Sequence, residues 1–356
     1  MARRFRRTLG PLDHRSQAIL QAVIEEYVTT ASPVGSQALV ERYSLGVSSA
    51  TVRHILAELE TGGLLSHPHT SAGRVPTDAG YRFYVESMVD AAPLAPVEQL
   101  MIRHQFGQVE FASEHWFRLA ATTLAGLTRS AGIATPAKPR AAHIRRVDLV
   151  AMNERMASLI LVLREGSIKQ AVVSLDEADT IDQPSLNRVA ALLNERLTDL
   201  TAARAEAILG RLGSDDRLER LAKRVGDRIV RILREYDAAA VEEVFSDGLL
   251  NVMAAPEFAR SDKLRQVFTA LENRAYLGEL VGDVASSGRI HLVIGAENPV
   301  AEMHGVSLVL AAYGRPGRAI GVVGVLGPTR MSYPQAIGTV RFVSGLMNEL
   351  VDHLYA

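Results

Sequence analysis

Residues 32–84 carry the most constraining pattern in the chain, a series of short amphipathic segments that ends in a glycine-bounded hairpin. A preceding helix is predicted from about Leu12 to Thr30, because apolar residues recur there at the i, i+3, i+4, i+7 spacing of one buried face. Pro33 ends that helix, and a second short helix is predicted from about Gly35 to Tyr43. Residues 44–47 have the length of a helix-turn-helix corner. The order of these segments predicts a helix-turn-helix unit.

A third helix is predicted after Ser48 or Ser49, since a serine hydroxyl accepts hydrogen bonds from the unpaired amides of a first helical turn. Its core face consists of four apolar residues: Val52, Ile55, Leu56 and Leu59. A helix in this position enters the major groove and contacts bases. We therefore expect DNA contacts from the second helix, the corner and the opposite face of the third helix, at Ser36, Gln37, Ser48, Ser49, Ala50, Thr51, Arg53 and His54.

The hairpin after Gly62-Gly63 is predicted to be a wing with strands at 64–66 and 74–75. Its tip is small, polar and able to become cationic, which suits a loop that lies along phosphates or in the minor groove, with Arg74 as its anchor. A closing helix is predicted from Thr77. The wing residues expected to contact DNA are His67, His69, Thr70, Ser71 and Arg74.

Two of these side chains have alternative interpretations. His67 and His69 form an HxH pair that could ligate a metal, but no third ligand is suggested nearby and the chain has no cysteine, so we expect a solvated wing and no metal site. Arg53 could pair with Glu60 or with a carboxylate of a neighbouring helix instead of contacting DNA. Its position opposite the apolar stripe favours base or phosphate contact.

Composition and charge limit the remaining possibilities. The chain has 356 residues, enough for two or three domains, and the absence of cysteine suits a reducing cytoplasm. Its net charge is −1, and the arginines of the first 90 residues are matched one for one by carboxylates, so attraction to DNA must come from local placement. The arginine-rich arm at 3–7 lacks the apolar stretch of an export signal; it either tracks DNA or is a solvated tail. No apolar run approaches the ~20 residues that span a bilayer.

A second architecture is predicted after the proline-containing linker at 91–96. Two helices, about Val97 to Phe106 and Ser113 to Thr128, precede the strands. Six strand-like runs follow, at 144–151, 157–163, 168–175, 290–294, 306–312 and 320–326. A final helix is predicted at 333–354. Strands, then helices, then strands of the same kind predict an α+β chain in which one sheet is interrupted by a helical insertion at 176–280.

Several strings give the chain a resemblance to a known family. They are PVGSQAL, SSATVR, LAELE, GLLSHPHTSAGRVPTDAGYR and, far downstream, VIGAEN and GPTRMSY. In their order and separation the chain resembles the heat-inducible transcription repressor HrcA family. Two positions differ from the usual family pattern: His54 stands where asparagine is common, and Gln37 where a basic residue is common. These differences place the base contact at His54 in question and suggest one phosphate contact fewer at Gln37.

The resemblance implies a domain layout and a function. It implies a winged helix-turn-helix at 1–90, a GAF-like antiparallel-sheet domain at 97–175 and 281–356, and a mainly helical inserted dimerisation domain at 176–280. It further implies a cytoplasmic repressor of chaperonin and chaperone operons that binds an inverted repeat of double-stranded DNA as a homodimer and loses activity on heat or folding stress. Chaperonin GroE is the implied partner that keeps the repressor active. No cofactor is expected.

Two rival functions have weaker support in the sequence. An enzyme-repressor of the biotin-ligase kind would need a nucleotide loop, and the only candidate, residues 314–318, lacks lysine and fits a plain hairpin. The chain also lacks the common phosphate-loop, dinucleotide, zinc-protease and nucleophile-elbow motifs, so no enzyme is expected. The second rival is a winged-helix regulator gated by a small molecule in the GAF-like domain, although the residues expected to line that domain resemble a core.

Dimerisation follows from the DNA prediction, because one recognition helix reads only a few base pairs and a two-fold dimer doubles the contacts. The helices of the insertion are the first candidate interface. The final helix is the second, with apolar residues three and four apart as in a coiled-coil seam. The alternative for that stripe is that it covers its own sheet, which is favoured because the helix directly follows a strand. The stripe consists of Val340, Val343, Met347, Leu350 and Leu354.

Overall fold

Within its described residues, the N-terminal region folds into three helices, two short paired strands and a closing helix. The protein is represented by a computed structural model, which describes residues 12–68, 73–89, 93–109, 113–137, 139, 141–153, 155–164, 166–174, 182–213, 216–238, 244–258, 276, 280–284, 290–315 and 319–354. The elements of this region are α1 (His14–Thr30), α2 (Ser36–Arg42), α3 (Ser49–Thr61), β1 (Leu65–Ser66), β2 (Val75–Pro76) and α4 (Asp78–Ser87). They follow the predicted order of a winged helix-turn-helix.

Side-chain caps determine where these helices begin. The Asp13 carboxylate caps α1, the Ser48 hydroxyl accepts from the Thr51 amide at 3.2 Å to cap α3, and the Thr77 hydroxyl accepts from the Gly80 amide at 3.0 Å to cap α4. The predicted apolar face of α3 is buried, together with the apolar face of α1. A side chain at position 80 would meet the Leu64 carbonyl oxygen at 2.1 Å, so glycine is required there for α4 to approach the wing.

A five-stranded sheet forms the second part of the same compact unit, which comprises residues 1–136, 243–313 and 321–350. The elements here are α5 (Pro96–Gln108), α6 (Ser113–Thr128), β3 (Ala131–Ala134), β7 (Phe245–Asp247), α10 (Leu249–Met253), β8 (His291–Ile294), β9 (Val306–Arg315), β10 (Ala319–Pro328) and α11 (Tyr333–Leu354). The strand order of the sheet is β7-β3-β10-β9-β8, and β3 pairs antiparallel with β10 and β7.

Residues 137–242, with the short segments 314–320 and 351–356, form a second compact unit, which we call the insert unit. The elements of its described residues are β4 (Ile144–Asn153), β5 (Met156–Leu163), β6 (Ile168–Ser174), α7 (Gln183–Leu197), α8 (Ala202–Leu209) and α9 (Arg217–Ala238). The strands form an antiparallel sheet in the order β4-β5-β6. The apolar faces of the helices pack against one face of this sheet in a continuous core.

The sheet topology corrects the predicted domain layout. The strands at 144–174 were expected in the same sheet as those at 290–326, with an insertion starting at residue 176, but they form a separate sheet with the helices of the insert unit. The insert unit is therefore α+β and not mainly helical, and the expected segment 97–175 divides near residue 136. Alternation along a strand indicates which side chains share a face, but it does not identify the neighbouring strand. The short strands β3 and β7 were not predicted.

One predicted dimer surface, the apolar stripe of the final helix, is already used inside the chain. On α11, Val340, Val343 and Met347 are each at most 1 % exposed, so the alternative that this stripe is an internal core face is confirmed for these residues. Most apolar residues of α7 and α9 are buried in the core of the insert unit, and dimerisation through the insertion stays a prediction. Within the described ranges, no helix has the length and apolar character needed to cross a membrane.

Candidate DNA-binding surface

The outer face of α3 presents an unpaired cation. Arg53 is exposed, and within the described part of the chain its guanidinium has neither an ion-pair nor a hydrogen-bond partner. The alternative pairing with Glu60 does not occur, because Glu60 pairs with Arg74 instead. Neighbouring His54 is exposed and lies 3.4 Å from the Glu58 carboxylate, one helical turn along. Arg53 is therefore the side chain on this face that is available for a base or a phosphate.

The N-terminal end of α3 is built from small polar side chains. The Ser36 and Ser49 hydroxyls lie 3.0 Å apart and link the start of α2 to the start of α3. The Ser48 hydroxyl also lies 3.0 Å from that of Thr51. Ser48 and Ala50 are exposed, so a duplex can approach this end of the helix closely. The amides of a first helical turn and the helix dipole favour a phosphate at such an end.

Gln37 projects from α2 into solvent. Its amide nitrogen donates to the Glu41 carboxylate at 2.8 Å, four residues along the same helix. The side chain is exposed and carries no charge, so it could offer a DNA backbone a neutral hydrogen bond but no ion pair.

In the wing, the Arg74 side chain pairs with Glu60, and its predicted DNA contact stays a prediction. Its Nε lies 2.7 Å from Glu60 Oε2, its side chain is only 19 % exposed, and its backbone exchanges two 2.8 Å hydrogen bonds with Val34. His67 Nδ1 lies 3.8 Å from the same carboxylate. Glu60 thus holds the base of the wing against α3, a role that the sequence interpretation missed although the Arg74 and Glu60 charges were visible. The predicted contacts His69, Thr70 and Ser71 lie outside the described residues.

We expect Arg74→Ala to lower the free energy of unfolding by about 1–3 kcal/mol, because it leaves the half-buried Glu60 carboxylate without its cation. The salt dependence of DNA binding should change by less than one unit of slope, since Glu60 already neutralises the guanidinium. Urea unfolding and a salt titration of DNA affinity measure the two effects. If stability is unchanged and the slope of log affinity against log salt concentration falls by a full unit, Arg74 contacts a phosphate instead.

The closing helix of the N-terminal region, α4, is anchored beside the five-stranded sheet. Arg82 on α4 forms a bidentate ion pair with Glu297, and the Asp78 carboxylate accepts from the Ala296 amide at 2.8 Å. The ring of Tyr81 lies 5.6 Å from that of Tyr333, and burial raises the pKa of both tyrosines well above their ordinary value. The sheet-side contacts fall in or beside the strings VIGAEN and GPTRMSY, which were the available sequence signal.

Arg330 is a second anchor. Its guanidinium donates to Glu257 and, at 3.1 Å, to the Val28 carbonyl oxygen at the end of α1. We expect Arg330→Gln to lower the free energy of unfolding by about 1–3 kcal/mol, because Glu257 is largely buried and loses its cation. The matched control is Arg103→Gln, whose pair with Glu349 is more than half exposed on both sides and contributes less than about 1 kcal/mol. Equal losses in urea unfolding would show that Arg330 is no anchor.

The described residues contain no group of three or more His, Cys, Asp or Glu side chains that could hold a metal ion.

Comparison with known proteins identifies the family. Residues 114–337 match the family model described as the HrcA protein C terminal domain. Heat-inducible transcription repressors HrcA from Roseiflexus castenholzii and Chloroflexus aurantiacus are each 40 % identical to the chain, covering 97 % of it and 96 % and 95 % of their own lengths. The Dehalococcoides mccartyi repressor is 32 % identical, with 97 % of both chains covered.

The fold is also similar to a solved structure. A protein described only as hypothetical, with a crystal structure at 2.2 Å resolution, aligns over 97 % of this chain and 100 % of its own with a TM-score of 0.61 and 22 % identity. At that identity the likeness concerns the fold. The sequence relatives carry the functional assignment, and their class is a transcriptional repressor and not an enzyme. The chain therefore belongs to the heat-inducible transcription repressor HrcA family, whose function is repression of heat-shock genes.

Proposed function

We propose that this repressor binds an inverted-repeat operator as a homodimer, with one α3 helix in each half-site. The observation that carries the proposal is the exposed, unpaired Arg53 beside a small polar helix end on a winged helix-turn-helix. A two-fold dimer doubles this reading surface and requires half-sites separated by whole helical turns, multiples of ~10–10.5 base pairs. Such a repressor acts on chromosomal DNA, so we place it in the cytoplasm.

The outer face of the three-stranded sheet in the insert unit is the surface we propose for dimerisation. The opposite face is covered by α7 and α9, whereas several large apolar side chains on or beside the outer face are between 36 % and 66 % exposed. A clustered apolar face of this kind typically marks an interaction site. A two-fold axis would let the patch pack on its own copy. The side chains are Val150, Met152, Met156, Ile168 and Val172.

The heat response is proposed to depend on chaperonin. Marginal stability makes partial opening of one unit frequent on modest heating, and an opened repressor no longer holds its operator. Chaperonin GroE would return such molecules to the active state, so that chaperonin occupied by other unfolded proteins leaves the operator empty. The family resemblance supports this partner.

A footprint of the purified protein on the chaperonin promoters of its own genome tests the proposal. We expect protection of an inverted repeat, increased protection when chaperonin is added, and loss of that increase when denatured protein competes for the chaperonin. Protection of a single half-site would contradict the dimer. If protection does not change with chaperonin but does change with a small metabolite, the result would favour a regulator gated by a small molecule in the GAF-like domain.

A further inference from the structure

The two edge strands of the three-stranded sheet, β4 and β6, differ in whether their outward backbone groups are hydrogen-bonded. On β4, the Asn194 side chain pairs with Val147 as a strand would, accepting from its amide at 2.8 Å and donating to its carbonyl at 2.7 Å. The Gln183 side chain accepts from the Ala151 amide and donates to the Leu149 carbonyl, both at 2.8 Å. Both amides extend from α7, so this edge is closed to a further strand.

The other edge, β6, is open over the described residues. The Leu163 amide donates to the Ser167 carbonyl at 2.9 Å, which makes this a hydrogen-bonded pair of the β5–β6 ladder. Hydrogen-bonded pairs alternate in antiparallel ladders, so Lys169, Ala171 and Val173 bond to β5 while Gln170 and Val172 direct their backbone groups away from it. Gln170 and Val172 are exposed, and their backbone amides have no partner among the described residues.

A cationic groove runs beside this open edge. A cavity of about 310 Å³ lies between β6 and α9, lined by residues 172–174 on the strand and by residues of the helix. Arg228 and Arg231 have no ion-pair partner within the described ranges, and Arg231 is exposed. Arg224, which also lines the cavity, already has an interaction of its own, and Asp227 is the one carboxylate in the described lining. The groove therefore has an excess of positive charge.

We propose that this groove binds an extended acidic segment of a partner protein, which adds to β6 as a fourth strand. A groove between an edge strand and a helix is the arrangement in which strand addition operates, with main-chain hydrogen bonds giving affinity and side-chain positions giving specificity. Alternate side chains of the added strand face α9, where carboxylates would meet Arg228 and Arg231.

Charge argues against a second copy of this chain as the occupant. The β6 strand carries Lys169 and no carboxylate, and two copies paired through β6 would bring two sets of groove arginines together. Like charges placed opposite each other destabilise a strand pair. An acidic strand neutralises the same arginines.

Fluorescence anisotropy on the full chain tests the proposal with a labelled peptide of sequence Thr-Val-Asp-Val-Asp-Val-Thr, compared with the same peptide carrying lysine for aspartate. We expect the acidic peptide to bind and the lysine peptide to bind at least tenfold more weakly. The double variant Arg228→Glu, Arg231→Glu should weaken acidic-peptide binding at least tenfold. The control Arg204→Glu, an exposed arginine on α8, should stay within twofold. Equal binding of the two peptides would overturn the proposal.

The main-chain part is tested by Gln170→Pro, which removes an outward amide but spares the bonds to β5. We expect at least a tenfold loss of peptide binding, whereas Gln170→Ala, which keeps the amide, should stay within threefold. Hydrogen exchange on the wild type should show the Gln170 and Val172 amides protected by the peptide; unchanged exchange would overturn strand addition even if a variant fails to fold. Protection of the same two amides in the wild type without peptide, lost on dilution to the monomer, would assign the edge to a second copy and also overturn the proposal.

Discussion

Replacing residues 137–242 by a three-residue glycine-serine turn is expected to give a monomer whose operator affinity falls about a hundredfold or more, because two linked half-site contacts exceed either one alone by 10²–10⁴. The excision is feasible because Ala134 and Phe245 are directly paired neighbours on β3 and β7. The five-stranded sheet and the winged helix belong to the unit that remains. Light scattering gives the mass, and a gel shift on the full operator gives the affinity.

A surface variant separates the loss of the interface from the loss of the whole insert unit. Val150→Asp with Ile168→Asp places two charges on the outer sheet face and leaves the buried face intact. We expect it to be monomeric as well, while the control Arg204→Ala remains dimeric. A dimer with intact operator affinity after excision would move the interface to α5, where Val97, Leu100 and Met101 are at least 58 % exposed.

Arg53→Ala should weaken binding by about 1–3 kcal/mol for each half-site, and by about twice that for the dimer, because a good side-chain contact to a base contributes that much. Folding should be nearly unchanged, since the exposed guanidinium has no partner in the described structure that would be left unpaired. A gel shift against the operator measures the loss, and the thermal unfolding midpoint monitors the fold. Arg204→Ala is the matched control, and equal affinities of wild type and Arg53→Ala would remove the assignment.

Because His54 differs from the asparagine that is common in the family, a second variant restores the common residue. His54→Asn is expected to retain operator binding, because asparagine is common at that position and the His54 contact with Glu58 is exposed. Its effect on stability should be within about 0.5 kcal/mol, as for other exposed helix pairs. Loss of binding would mean that α3 docks differently in this protein.

Local sequence determined the N-terminal region. The apolar periodicity of α1 and α3, the serine and threonine caps and the paired glycines before the wing each act over a few residues, so their outcome could be predicted without knowing the rest of the fold. The exposure of Arg53 follows from the same periodicity, because it lies opposite the face that contains Val52, Ile55, Leu56 and Leu59. The family resemblance then supplied the function.

Tertiary structure alone decided which strands share a sheet and which charges pair. The sequence predicts strands both at 144–174 and at 306–326, and their assignment to different sheets depends on long-range pairing that the pattern along one strand does not encode. The same reason explains Arg74, whose partner Glu60 lies on another element, and Arg82, whose partner Glu297 lies more than 200 residues away. Whether a charged side chain is buried and hydrogen-bonded depends on the residues that the fold places next to it. The pairing of these arginines therefore becomes visible only in the tertiary structure.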